Sequence, residues 1–211
     1  MVEAVLQAAA EVFAELGYAR ATTNKIALRA GVSVGSLYQY FPNKDSLLAE
    51  LLERHHADVH RVLDQALHRL DDPAVPFRSG IRRLLTDLVA LHRANPALTR
   101  ALSATVLRQS PAADDIHDKD EAQLVQRVAA TLSRRADVRA GDHLAMALVL
   151  GQSTSQLTRW LVHDAPPGVA FDSLLDESVE LLSRYLSVNR VIRRVRWRLT
   201  RNGRSKMTFG A

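Results

Sequence analysis

The sequence predicts an all-α protein, and three observations carry that expectation. Apolar residues recur at intervals of three and four through nearly every segment. No stretch alternates at the period of two that a half-buried strand requires. Leu and Ala dominate while aromatics make up only 5% of the chain, a composition that favours helix. With 47% hydrophobic and 24% charged residues, 211 residues suffice for a buried core, as one large domain or as a small module joined to a larger one. Cysteine is absent, which excludes disulfides, thiolate metal sites and a cysteine nucleophile. No apolar run approaches the roughly 18 residues of a membrane span. Met1 leads into an amphipathic segment with Glu3, Glu11 and Glu15 rather than a signal peptide, so a cytoplasmic protein is expected.

The first helix carries a stripe of Val5, Ala9, Val12, Phe13 and Leu16 and is stopped by Gly17. Thr22 or Thr23 caps a short second helix that runs to Ala30 and closes at Gly31. A third spans roughly Val34 to Tyr40 and ends before Pro42, which disfavours helical geometry in its predecessor. Asn43 caps a long helix to Leu70, about 40 Å at 1.5 Å per residue, enough to leave one module and enter another. Asp71 to Pro76 breaks it. Further helices follow from Ile81/Leu84/Leu85/Leu88/Leu91, from Asn95-Pro96 opening onto Leu98/Leu102/Val106, and, after a loop over 109–118, from Leu124/Val125/Val128/Leu132. Two longer ones cover roughly 142–163 and 171–187, separated by Ala165-Pro166-Pro167-Gly168.

Residues 22–44 carry the functional signal. Two short helices that cross steeply need a small residue at the crossing and a glycine in the turn, and Ala27 and Gly31 supply them. Ile26, Ala30, Val32, Leu37 and Phe41 would lock the pair onto the first helix. The face left over is Ser33, Val34, Gly35, Ser36, Tyr38, Gln39 and Tyr40. Short hydroxyls and amides reach base edges and phosphate oxygens, and the second helix of such a helix-turn-helix lies in the major groove. Gly35 would let the helix start press against the sugar-phosphate backbone. Lys44 sits in the first turn of the next helix, where free N–H groups and the helix dipole favour an anion. Charge agrees with this reading. The net charge of +5 is dominated by residues 190–211, which hold seven arginines and Lys206 without an acid, so the remainder is net acidic. Within it, residues 17–44 carry Arg20, Lys25, Arg29 and Lys44 and no carboxylate.

Val5…Ala8-Ala9…Val12-Phe13…Gly17-Tyr18, followed by Thr23…Ile26-Ala27…Ala30-Gly31-Val32-Ser33…Gly35-Ser36-Leu37-Tyr38…Tyr40-Phe41…Lys44…Leu47-Leu48, resembles the N-terminal domain of the TetR (tetracycline-repressor-like) family over residues 5–50, about a quarter of the chain. The resemblance implies a homodimer of about nine helices per chain that represses transcription, with a C-terminal domain that binds a small-molecule effector and lowers DNA affinity when occupied. It implies phosphate contacts from Thr23, Lys44 and Tyr40 or Tyr38, and base-facing positions at Ser33, Val34, Ser36 and Gln39. The expected division is a DNA-binding domain over 1–46, a regulatory and dimerisation domain over 47–189, and a basic, disordered tail over 190–211. Family members often carry basic residues ahead of the first helix; Met1-Val2-Glu3 does not.

Other features admit two readings each. Tyr38 is either a core aromatic or a DNA contact, whereas Tyr40, beside Phe41, points outward. Lys25 and Arg29 read as solvated helix charges with occasional phosphate contact. His55, His56 and His60 read as polar positions on the long helix; without cysteine and with scattered carboxylates, no metal site or other cofactor is expected. The run Gly151-Gln152-Ser153-Thr154-Ser155-Gln156 is either a subunit interface, with Gly151 and Ser155 permitting close helix approach, or a pocket lined by Gln152, Gln156 and Trp160. The resemblance favours the interface, formed by the last two long helices with Leu174 and Leu182 as further contacts. His92, Met146 and Phe77 are candidate ligand contacts whose commoner role is core. An enzyme is not expected: there is no Gly-rich phosphate loop and no HExxH, and Asp114, Asp115, Asp118 and Asp120 cluster in a loop-like segment. The tail leaves a second DNA contact or an RNA-binding arm open beside disorder.

Overall fold

A computed structural model describes residues 1–102 and 118–188 of the chain. Its described residues form nine α-helices and no strand: α1 (Val2–Arg20), α2 (Thr23–Ala30), α3 (Val34–Tyr38), α4 (Lys44–Leu70), α5 (Phe77–Ala94), α6 (Pro96–Ala101), α7 (Asp118–Arg134), α8 (His143–Arg159) and α9 (Phe171–Leu186). Residues 103–117 and the tail 190–211 lie outside the described residues, and with them Val106, Asp114, Asp115 and every reading of the tail. No described helix is long and apolar enough to cross a membrane.

Local chemistry sets the boundaries. α1 breaks at Gly17, whose φ of 73° and ψ of 164° are non-helical, so the final turn swings away from the main axis. Thr22 caps α2 by accepting from the Lys25 amide, and Gly31 closes it in the left-handed region at φ 68°. Ser33 caps α3 through the Ser36 amide. Asn43 and Ser46 cap α4 reciprocally, the Asn43 side chain taking the Ser46 amide while Ser46 takes the Asn43 amide. Asn95 caps α6 with Pro96 in its first turn. The expected single helix over 142–163 differs: α8 ends at Arg159 and the chain continues as one wide π-helical turn, Trp160–Asp164.

Two cores follow. The N-terminal one gathers Val5, Ala9, Val12 and Phe13 of α1, Ile26 and Ala27 of α2, Leu37 of α3 and Phe41 around the first turns of α4, from Leu47 to Leu52. Ala101 of α6 is fully buried in that same core, and Ala97, Leu98 and Leu102 pack on it. This docking of α6 on α1, reinforced by Asn95 donating to Gln7 at 3.3 Å, is not visible in helical periodicity. The second core joins Leu70, Phe77, Ile81, Leu85 and Val89 to Leu132, Met146, Leu150, Leu161, Val179, Leu182 and Leu186. Gly80 permits the turn between α4 and α5, since a Cβ there would run into the Leu70 side chain.

The far end of α4 is fastened by Arg135, whose side chain is 5% exposed. Its guanidinium donates to the Leu70 carbonyl at 2.5 Å, to Val75 O at 2.7 Å and to both Asp137 oxygens. Asp137 in turn accepts from the Phe77 amide at 3.3 Å. The Arg135 guanidinium holds the Asp137 carboxyl below its ordinary range, as Arg134 does for Asp71. A depressed folded-state pKa means that stability is complete above the ordinary carboxylate value of 3.8 and is lost as pH falls below it. The thermal midpoint is therefore expected to drop on acidification from about pH 5 to about pH 3. In Asp137→Asn it should be lower at neutral pH and less sensitive to that acidification.

Candidate nucleic-acid interface

The helix-turn-helix is held by buried apolar residues on one side and leaves the other open. Leu37 and Phe41 turn inward at 1% and 8% exposure. Ser33, Val34, Gly35, Gln39 and Tyr40 form the outer face of α3 and the turn after it, with Ser36 half-buried beside them. Val34 is 38% and Tyr40 52% exposed, a poor position for apolar surface unless something covers it. Tyr38 is half exposed as well, and its hydroxyl lies 3.0 Å from Thr23 Oγ1. The start of α2 and the end of α3 thus present their hydroxyls together. Ser33 and Ser36 pair at 2.8 Å. A Cβ on Gly35 would meet only Ser33 Oγ, at 3.8 Å. Among the described residues nothing requires glycine there.

The cations of this region behave differently from what their spacing suggests. Lys44 Nζ donates to Tyr18 O at 2.9 Å, lies 3.5 Å from Ala21 O, and sits 4.1 Å above the Tyr18 ring. It closes the carbonyl end of α1 and ties the start of α4 to it. Lys25 Nζ donates to Arg20 O at 2.9 Å, and Arg20 to Leu16 O at 3.0 Å. Arg29 bridges to Glu11 at 3.1 Å and to Glu15 at 2.7 Å, fastening α2 on α1. The glutamates hold the arginine firmly protonated, and Arg29 lowers the Glu15 carboxyl.

The other singled-out residues separate cleanly. Gly151, Gln152, Ser155 and Gln156 lie exposed on α8 and line no interior space; Gln156 accepts from Arg159. Leu144, Leu148 and Val149 of α8 lie open at 41–50% exposure, and Leu181, Tyr185 and Val188, on and just beyond α9, at 37–61%. Leu182, by contrast, is 4% exposed within its own protomer's core, and Leu174 packs against that core, so the open leucine on α9 is Leu181. Periodicity finds an apolar stripe but not which neighbour covers it. Met146 and Phe77 are core at 2% and 4%. Trp160 packs half-buried beside them, and His92 lies edge-on to His55 with ring centroids 5.2 Å apart.

Fold and site together define a helix-turn-helix DNA-binding regulator: a three-helix reading unit whose supporting helix runs on into a larger helical domain. Comparison with known proteins agrees. Residues 5–51 match the pattern of bacterial regulatory proteins of the tetR family, and residues 76–186 that of the tetracyclin repressor-like C-terminal domain. The chain belongs to the TetR family. It is 30% identical over 172 residues to the nucleoid occlusion factor SlmA of Vibrio cholerae, covering 77% of this chain and 84% of that protein. The SlmA of Vibrio campbellii is 29% identical over 174 residues with the same coverage. Among solved structures, a tetR-family regulatory protein from Rhodococcus RHA1 superposes with a TM-score of 0.67 at 25% identity, over 88% of this chain and 96% of that one. The fatty acid degradation regulator FadR of Bacillus halodurans shares the fold, with a TM-score of 0.66 at 21% identity over 86% and 94% of the two chains.

The inward turn of Lys44 sets a measurable expectation. Each phosphate contact steepens the dependence of log affinity on log salt by about 0.9. Lys44→Met should lower both the thermal midpoint and DNA affinity while leaving that slope unchanged. A slope shallower by about one unit would instead assign the ammonium to a phosphate.

Proposed function

We propose that the chain is a homodimeric repressor that binds a two-fold symmetric operator through α3 and is released by a small-molecule effector. The observation that carries the DNA reading is Gly35: a helix-start glycine with open space around it and no internal reason to lack a side chain. Close approach of an outside body supplies the reason. Ser33, Val34, Ser36 and Gln39 face bases in this reading. Thr23, Tyr38 and Tyr40 take phosphate oxygens, with Lys25 beside them at the start of α2. Lys44 acts by holding α4 on the reading unit.

A second copy covers the open apolar face of α8 and α9. Leu148, Val149, Leu181 and Tyr185 supply the contact area, and Gly151, where a Cβ would meet nothing within 4 Å, lets helices approach closely. Dimer symmetry then sets the operator half-sites about one helical turn, ~34 Å, or more apart. Release follows if the effector prefers a conformation whose two α3 helices no longer fit adjacent grooves.

The likeness to proteins named nucleoid occlusion factors favours a second reading, in which the chain occupies many chromosomal sites and controls no promoter. Mapping bound sites separates the two: a few promoter sites support repression, scattered sites the alternative.

Gly35→Ala should leave the thermal midpoint unchanged or slightly raised while weakening operator binding about tenfold or more, and Tyr40→Ala should weaken it comparably. Both are read by gel-shift titration, and full affinity in both variants removes α3 from the interface. Leu148→Arg should convert the dimer to a folded monomer by light scattering, with operator binding lost; a dimer that persists places the interface elsewhere.

A further inference from the structure

α4 and α5 meet, below the reading unit, on a pair of imidazoles. His55 stands one turn beyond Leu51 and Leu52, the last α4 residues buried in the N-terminal core, and His92 stands in the last turn of α5. Their rings pack edge to face, with centroids 5.2 Å apart and planes at 83°. His92 Nδ1 lies 2.7 Å from Leu88 O, and the His92 carbonyl accepts from Thr99 of α6 at 3.1 Å. α6 then buries Ala101 in the core beneath α1. The ring pair therefore sits where both connections to the reading unit, α4 and α6, leave the regulatory domain.

The surroundings keep this pair neutral. Around His55 the charged and titratable groups are His56 and Asp58 on its own helix and His92 on α5, and Asp58 is already paired with Arg61. On the α1 side, Glu3 and Glu50 are both taken by Arg54; further along α4, Asp64 is taken by Arg127 of α7. His163, in the wide turn after α8, faces His92, Arg100 of α6, Arg159 and Asp164. Its Nε2 is buried without a partner among the described residues. Burial, then His92 and His56, pushes His55 down to about 4 despite Asp58. Burial, then Arg100, lowers His163 as well. A lowered imidazole value fixes the sign: the closed pair keeps its full stability above the ordinary 6.5 and loses it as pH falls from there to about 4.

We propose that the His55–His92 pair is a proton-operated joint: a proton on the His55 ring separates α4 from α5, α6 slackens on α1, and the reading unit loses the setting that DNA requires. The Thr99 bond to the His92 carbonyl carries the movement from the ring pair to α6. The proposal rests on the operator reading above and adds a condition under which the chain lets go. Its direction is the reverse of the usual one, since positive charge gained by a DNA-binding protein at low pH ordinarily tightens its hold on phosphates.

The test uses the full chain at about pH 7.5 and about pH 5.5, at constant ionic strength. Hydrogen exchange on the α6 amides, corrected for the intrinsic rate at each pH, reads the joint directly and needs no DNA. With His55 at about 4 against an ordinary 6.5, the opening equilibrium of α6 is expected to rise about tenfold on acidification. Affinity for a duplex carrying a site recovered by the mapping above, read by fluorescence anisotropy, is expected to fall over the same range while helicity persists. His55→Phe keeps an aromatic ring against His92 and takes no proton, so it should show neither response. His55→Gln, which stands in where the first variant does not fold, should behave alike. Unchanged α6 exchange in the parent, affinity that holds or rises, or a full response in the His55 variants overturns the proposal. Acid opening of α6 in a protein that binds no duplex at about pH 7.5 supports the joint and counts against the operator reading.

Discussion

α4 is held at both ends by cations on main-chain carbonyls, and the arrangement of the molecule depends on it. At its start, the Lys44 ammonium reaches across to Tyr18 O and the Tyr18 ring. At its end, the buried Arg135 guanidinium takes Leu70 O. Between these points the helix gives Leu47 to Leu52 to the N-terminal core and Leu70 to the regulatory core. A helix fixed in this way moves as a rod. Any change in the regulatory core that tilts it displaces the reading unit as one body, because packed interiors deform little.

α6 offers a second mechanical route, and a shorter one. It follows α5 after a single capped turn at Asn95, buries Ala101 in the core beneath α1, and touches His92 through Thr99. The reading unit therefore rests on two supports from the regulatory domain, one covalently continuous and one docked.

What the sequence disclosed and what it concealed divide along the range of the interaction. Caps and turns depend on neighbours three residues away, so Gly31 and Asn43 were legible, with Thr22 as one of two candidates, whereas the Ser33 cap was not read and α3 ends at Tyr38 rather than Tyr40. Inward and outward sides of α3 were legible too, since Leu37 and Phe41 share one side and Gln39 and Tyr40 the other. Long-range choices were not. Helical period cannot tell Leu181 from Leu182 as the open position, cannot place α6 against α1, and cannot show that α8 widens after Arg159. A count of positive residues cannot show where each side chain ends, and it did not disclose the Lys44 ammonium resting on Tyr18 O.

All four cations between residues 17 and 44 are engaged by their own chain: Arg20, Lys25 and Lys44 on carbonyls, Arg29 on two glutamates. Carbonyl bonds fix where Arg20, Lys25 and Lys44 reach without cancelling their charge, and only Arg29 is offset, by its two glutamates. One reading unit alone would dwell briefly wherever it landed, right site or wrong. In the proposed homodimer, lasting residence would need both protomers seated at once, so operator filling would climb steeply with cellular abundance, and modest changes in synthesis or turnover would act as an on–off control.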